Sequence, residues 1–257
     1  MGERRSHATL PRLAALAAAT EGVALGGGLL PLTGEGTSDL GETLTTLGLI
    51  ARGRVRIGFD LPAALAGPST PPWLARLDSA AATVRAAAGP VVAAVADRAG
   101  AMLAGPRVDR LVLRGADPAL AADVVATASV AQDSCEVDVW LDLVTDEPHG
   151  EAHLRAAVAQ RLGVPGCLGH EIIRDVARRS SSPTLRGDVE AAFARGRLDE
   201  AAQLIPAEVI ARTTLRSDDL AERVESYREA GVDRLTVRIL GSGDHHAALR
   251  TFAGAVG

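Results

Sequence analysis

The chain has 257 residues, nearly half of them apolar but only 2% aromatic, and a formal net charge of −5. That length suits one α/β barrel or two small domains with a sizeable core. All 27 basic residues are arginine, which excludes Schiff-base, pyridoxal and Walker-type lysine chemistry, while the negative balance leaves no electrostatic footprint for nucleic acid.

Met1 to Thr20 carries arginines ahead of an alanine-rich stretch and superficially imitates a signal peptide. Arg12 and Glu21 interrupt the apolar run, and Leu10, Leu13, Ala14 and Ala17 recur at helical spacing, so an amphipathic helix is expected. No run approaches the ~20 apolar residues of a membrane span. Val23 to Pro31 reads as a buried strand opening into a glycine turn at Gly26, Gly27 and Gly28. Ser38 then caps a helix carrying Leu40, Leu44, Leu47 and Ile50, and Gly53 to Phe59 is the next strand. Residues 60 to 75 form a loop anchored by Trp73, and Leu77 to Ala88 a helix.

Val91 to Val95 and Asp109 to Arg114 are short strands, the second running into Gly115 and an N-cap at Asp117. Glu136 to Val144 alternates, which leaves one face wetter. A helix through Leu154, Val158 and Leu162 stops at Gly163, and Gly166 to Thr214 is helical throughout. Ser217 opens the next helix and Gly231 ends it, followed by a strand from Leu235 to Leu240. The count is six strands, near 23–30, 54–60, 91–95, 110–114, 136–144 and 234–240. A helix, Ala-Gly-Val-Asp, a strand, a glycine loop and a helix is how a parallel (β/α) barrel closes on its last strand.

Several residue types suggest chemistry on their own. His149 and His153 are four apart, which is metal-ligand spacing, but no third ligand stands near them and a solvated helix start is the expectation. His245 and His246 point to different faces of a helix that Asp244 caps, so no metal is expected there. Arg114 and Asp142 lie near strand ends and are lesser candidates. Cys135 and Cys167 are too few for a disulfide framework, which points to a reducing cytosol.

Three segments carry a resemblance. Glu222 to Leu235, with Glu229-Ala230-Gly231-Val232-Asp233, is similar to the terminal segment of the bacterial luciferase-like monooxygenases. Leu13 to Gly28, followed by Thr46-Leu47 and by Gly53-Arg54-Val55 up to Gly58, resembles that family's early barrel in the same order. Leu204-Ile205-Pro206-Ala207-Glu208 resembles a short element ahead of its last strand.

The resemblance implies a (β/α)8 TIM-type barrel as a single domain over 1–257, with a helical insertion over about 166–214. Its first two strands would be missing. Such a gap exposes two sheet edges, so an oligomer is expected, of this chain or with a related one, or else coding sequence ahead of Met1. The implied activity is that of a flavin- or deazaflavin-dependent oxidoreductase or monooxygenase. It would take reduced flavin mononucleotide (FMN) or the deazaflavin (F-420), with a separate flavin reductase in the first case, and act on a small organic substrate.

By the same resemblance, Gly26, Gly27 and Gly28 would lie against the isoalloxazine. Gly241 and Gly243 would meet the phosphate end, and Arg98 would offset Asp97 in the loop after the strand at Val91. His170, in the insertion bordering the substrate pocket, is the best lone proton-handling candidate. The sequence departs from the family at Gly27, Gly48, Gly58-Phe59-Asp60 and Asp97, the last an unwelcome charge beside a phosphate. A second reading therefore stands beside the first: a degenerate, non-catalytic luciferase-like subunit that has lost cofactor binding.

Overall fold

The computed structural model describes residues 3–22, 25–32, 37–61, 70–87, 89–132, 134–144, 149–164, 169–179, 184–240 and 244–256. Contacts divide the chain into two compact units, one of Met1–Val112 with Thr127–Glu136, the other of Leu113–Ala126 with Val137–Gly257.

In the first unit, helix α1 (Glu3–Ala19) buries Leu13 and Ala17 and leads to strand β1 (Leu25–Pro31), helix α2 (Thr37–Ala51) and strand β2 (Val55–Asp60). Arg54 joins three of these pieces. Its Nη2 donates to the carbonyls of Ala17 at 2.9 Å and Thr20 at 2.7 Å, and Nη1 donates to the Thr20 hydroxyl at 3.0 Å. A cation thus satisfies carbonyls that the end of α1 leaves orphaned. Helix α3 (Thr70–Ala87) begins earlier than the sequence suggests, because Pro71 and Pro72 sit in its first turn, where a missing N–H costs nothing. Strand β3 (Val91–Ala94), helix α4 (Arg98–Ala104) and strand β4 (Arg110–Arg114) follow, and β1 to β4 pair in parallel in chain order.

Helix α5 (Pro118–Ala131) is capped by Asp117, whose carboxylate accepts from Leu120 N–H at 2.9 Å. In the second unit, strand β5 (Glu136–Val144) precedes helices α6 (His149–Gly163), α7 (His170–Arg179), α8 (Leu185–Ala194), α9 (Leu198–Gln203) and α10 (Ala207–Thr213). Strand β6 (Thr214–Arg216), helix α11 (Leu220–Glu229), strand β7 (Arg234–Leu240) and helix α12 (His245–Val256) complete it. β5 pairs in parallel with both β6 and β7. The stretch expected as a helical insertion holds α7 to α10, which share one apolar cluster with α6 through Leu154, Val158, Ile173, Val189 and Val209.

Two further sequence expectations need correction here. The strands number seven among the described residues, not six; β6 has three residues directly after a helix, too short to show periodicity. Asp219, not Ser217, is the residue at the start of α11, and its side chain makes no capping bond.

Val-Asp-Arg-Leu occurs twice, at 108–111 and 232–235, and does the same thing each time. Asp109 Oδ2 accepts from Val91 N–H at 2.8 Å while its own N–H donates to the Val91 carbonyl at 3.0 Å. Asp233 Oδ2 accepts from Val137 N–H at 2.8 Å and its N–H donates to the Val137 carbonyl at 3.1 Å. An aspartate just ahead of a strand thereby closes a ring on the first or second residue of the neighbouring strand and fixes the register. Gly231, at φ +77°, turns the chain out of α11 to deliver Asp233 there. Asp233→Ala is expected to lower stability by about 1–2 kcal/mol, the worth of a charge-assisted bond to a backbone donor; an unchanged urea midpoint would show the clamp to be idle.

Candidate active site

In parallel α/β folds, functional groups collect at the carboxyl ends of the strands. In the first unit the glycines do not form a turn after β1. They lie within it, where Gly26 pairs with Arg56 and Leu29 with Gly58, so one extra residue bulges out of the strand. Bulges favour glycine and re-aim the backbone. Gly26 is exposed, and a Cβ added there would meet nothing within 4 Å.

Asp60 ends β2, level with Pro31 on β1 and Ala94 on β3. Burial pushes its carboxyl up to about 6. After β3, Asp97 takes the N-terminus of α4 for itself, with Oδ1 accepting from Gly100 N–H at 2.8 Å. Arg98 begins that helix and is exposed.

The second unit gathers its charges around Asp142, near the carboxyl end of β5 and only 1% exposed. Arg238 of β7 donates from Nε to Oδ1 at 2.7 Å and from Nη2 to Oδ2 at 3.0 Å. Arg161 of α6 donates from Nη2 to Oδ2, and Nη2 of Arg114, the last residue of β4, lies 3.6 Å from Oδ1. Burial pushes the Asp142 carboxyl up, but Arg161, Arg238 and Arg114 outweigh it and hold it below its ordinary value. Four residues earlier on the same face of the strand, buried Asp138 accepts from Trp140 Nε1 at 3.0 Å and from the Thr236 hydroxyl at 3.0 and 3.1 Å.

His170 is buried beside this cluster. Its Nδ1 lies 2.8 Å from the Arg161 carbonyl, which can only accept, so Nδ1 carries the proton and Nε2 holds the lone pair of the neutral ring. Glu171 Oε1 stands 3.8 Å from Nε2. The approach requires glycine at 169, which has φ +83° and whose Cβ would come within 2.6 Å of the Arg114 carbonyl.

The sequence candidates are divided between the two units. Gly26, Gly27, Gly28 and Arg98 belong to the first unit, His170 to the second, and Gly241 and Gly243 lie outside the described residues, as does Cys167. Arg114 and Asp142, the lesser candidates, prove to be direct partners. Arg161 and Asp60 were missed. Arg161 reads as an ordinary basic residue in the last turn of a helix, whereas Arg238, a charge inside an apolar strand, carried a usable signal. His153, His245 and His246 are exposed, and Asp244 accepts from the N–H groups of His246 and Ala247. Among the described residues no three metal-ligating side chains gather, and no helix is long and apolar enough to cross a membrane.

No family model and no curated protein matches the chain. Solved structures do. The coenzyme F420-dependent tetrahydromethanopterin reductase from Methanopyrus kandleri superposes with a TM-score of 0.72 at 14% identity, covering 96% of this chain and 86% of that one. An F420-dependent secondary alcohol dehydrogenase, solved with an F420–acetone adduct, gives 0.64 at 16%, covering 96% and 84%. The EDTA monooxygenase from Chelativorans sp. BNC1 gives 0.58 at 14%, covering 96% and 75%. The fold is that of the luciferase-like monooxygenases. It is an incomplete barrel, with seven parallel strands among the described residues against the eight of a full one.

The half-buried Asp60 and the buried Asp142 have opposite pH signatures. Asp60 is protonated in both states below about pH 4, and the cost of burying its charge is complete only above about 6. Asp60→Asn should therefore raise Tm near pH 8 and leave it unchanged near pH 4. Asp142 has a depressed value, so its stabilisation is present above the ordinary carboxylate range and is lost as pH falls through the depressed value. Asp142→Asn should cost about 3–5 kcal/mol at neutral pH, a gap that narrows on acidification; parallel pH profiles for both variants would contradict this account.

Proposed function

We propose that the chain is a flavin- or deazaflavin-dependent oxidoreductase of the luciferase-like type, acting on a small organic substrate. The observation that carries this is the likeness over 96% of the chain to enzymes whose names specify coenzyme F420. At 14–16% identity that likeness speaks for the fold, so the activity rests on the residues at the strand ends as well.

These residues fit the ring of such a cofactor better than its phosphate. The bulged glycine strand, with open space beside Gly26, suits a flat ring approaching the backbone. The start of α4, where the family resemblance places a phosphate, suits it poorly, since the Asp97 carboxylate already accepts the Gly100 N–H there. When bound, the cofactor would supply hydride or oxygen chemistry. His170 Nε2 would handle a proton, held in orientation by the Arg161 carbonyl. A separate flavin reductase, or a self-paired or mixed oligomer with a related chain, belongs to this proposal. So does a reducing cytosol, in keeping with the buried thiol of Cys135, which forms no disulfide among the described residues.

The Asp97 cap favours a second reading, a non-catalytic subunit without cofactor. Fluorescence titration with FMN and with F420, alongside light scattering on the same sample, separates the two. Saturable micromolar binding by a stable oligomer is expected and would name the cofactor. A well-folded protein that binds neither would sink the enzyme reading for this chain alone. Gly26→Val sharpens the test, because its side chain would enter space that no neighbour fills. It is expected to leave Tm unchanged while weakening ring binding by about tenfold or more, roughly the worth of a misplaced planar contact.

A further inference from the structure

Asp60 is the last residue of β2, level with Pro31 of β1 and Ala94 of β3, at the end of the strands where parallel folds place their ligands. Among the described residues its carboxyl accepts no hydrogen bond and meets no cation. Asp117 and Asp142, by contrast, are each held by arginines.

The elements around β2 supply no counter-charge. Neither β1 nor β3 contains a titratable side chain. Glu42 of α2 is exposed, and Arg56 of β2 itself is exposed and pairs in register with Gly26, four residues short of Asp60. Beyond β3, Asp97 accepts from Gly100 N–H and Arg98 is exposed. Such surroundings disfavour the anion, and burial pushes the Asp60 carboxyl up to about 6.

A neutral carboxyl has one O–H to donate and a carbonyl to accept. Here neither is used, so the group costs the fold solvation and returns no contact, which marks a group kept for a ligand. Asp60 is only half-buried, so dissolved molecules can reach it.

We infer that Asp60 binds an uncharged, oxygen-bearing ligand in the first unit, its protonated carboxyl donating a hydrogen bond to a carbonyl oxygen. An anionic group would lose its hydration there with no cation to compensate. The inference rests on the reading above only in placing a small organic ligand at the carboxyl ends of the strands. Simple probes test it whether or not a flavin binds.

The full chain is titrated across about pH 4 to 8 by carboxyl-carbon NMR, with and without N-methylpyrrolidone, an uncharged carbonyl compound. Loss of a resonance in Asp60→Asn identifies the Asp60 carboxyl. Only the protonated form donates, so the bound probe should raise the Asp60 midpoint above its unliganded value of about 6. Affinity on the order of millimolar is expected for so small a ligand. Asp60→Asn, which keeps a donor, should bind the probe without pH dependence. Asp60→Ala should bind it about tenfold more weakly, through loss of one hydrogen bond. Cyclopentanecarboxylate should leave the midpoint unmoved.

A midpoint in the ordinary carboxylate range, or one that N-methylpyrrolidone does not move, would overturn the inference. So would a downward shift with pyrrolidinium alone, which would make Asp60 a carboxylate for cations. A response to N-methylpyrrolidone without flavin binding would leave this site standing while removing the redox reading. Flavin binding with an unmoved midpoint would do the reverse.

Discussion

A carboxylate cannot be buried alone, and much of the second unit is arranged around that constraint. Asp142 brings the last residue of β4, the last turn of α6 and the middle of β7 to one point. Arg238 is also its register partner on β7, so the same contact that neutralises the charge confirms the strand pairing. Close approaches follow from it. A Cβ on Gly115 would come within 2.9 Å of Arg161 Nη1, and one on Gly169 within 2.6 Å of the Arg114 carbonyl. His170 is placed by this packing, since Arg161 both pairs with Asp142 and offers its carbonyl to the imidazole.

The first unit solves a different problem, that of starting parallel strands level with one another. Asp109 closes a two-bond ring on Val91, as Asp233 does on Val137 in the second unit. Arg54 ties the end of α1 to the residue before β2, while Leu25 N–H donates to the Arg54 carbonyl at 2.9 Å. These contacts lie at the amino ends of the strands. The opposite ends are thereby free to carry groups that do not serve the fold, among them the half-buried Asp60.

Much of this was legible in advance because it is local. Six strands could be read from short apolar runs between turn residues, and the caps at Asp117 and Asp244 from an oxygen-bearing side chain ahead of a helix. What escaped had no local mark. β6 is three residues long, and the three glycines look the same in sequence whether they form a turn or a bulge; only pairing against Arg56 and Gly58 distinguishes them. Two prolines at 71 and 72 suggested a loop, yet they begin α3 because a first turn needs no donor.

The sequence by itself determined the order of strands and helices, the arginine-only positive charge and the glycines at which the chain must turn. Each depends on residues within a few positions of one another, where sterics and the nearest hydrogen bonds decide. Tertiary structure decided which charges meet. Asp142 finds Arg161 across 19 residues and Arg238 across 96. It also decided that Asp60 is screened from water by neighbours while Arg98 is not. Desolvation and Coulomb attraction act through space, so a candidate site remains a scatter of residue types until the chain has folded.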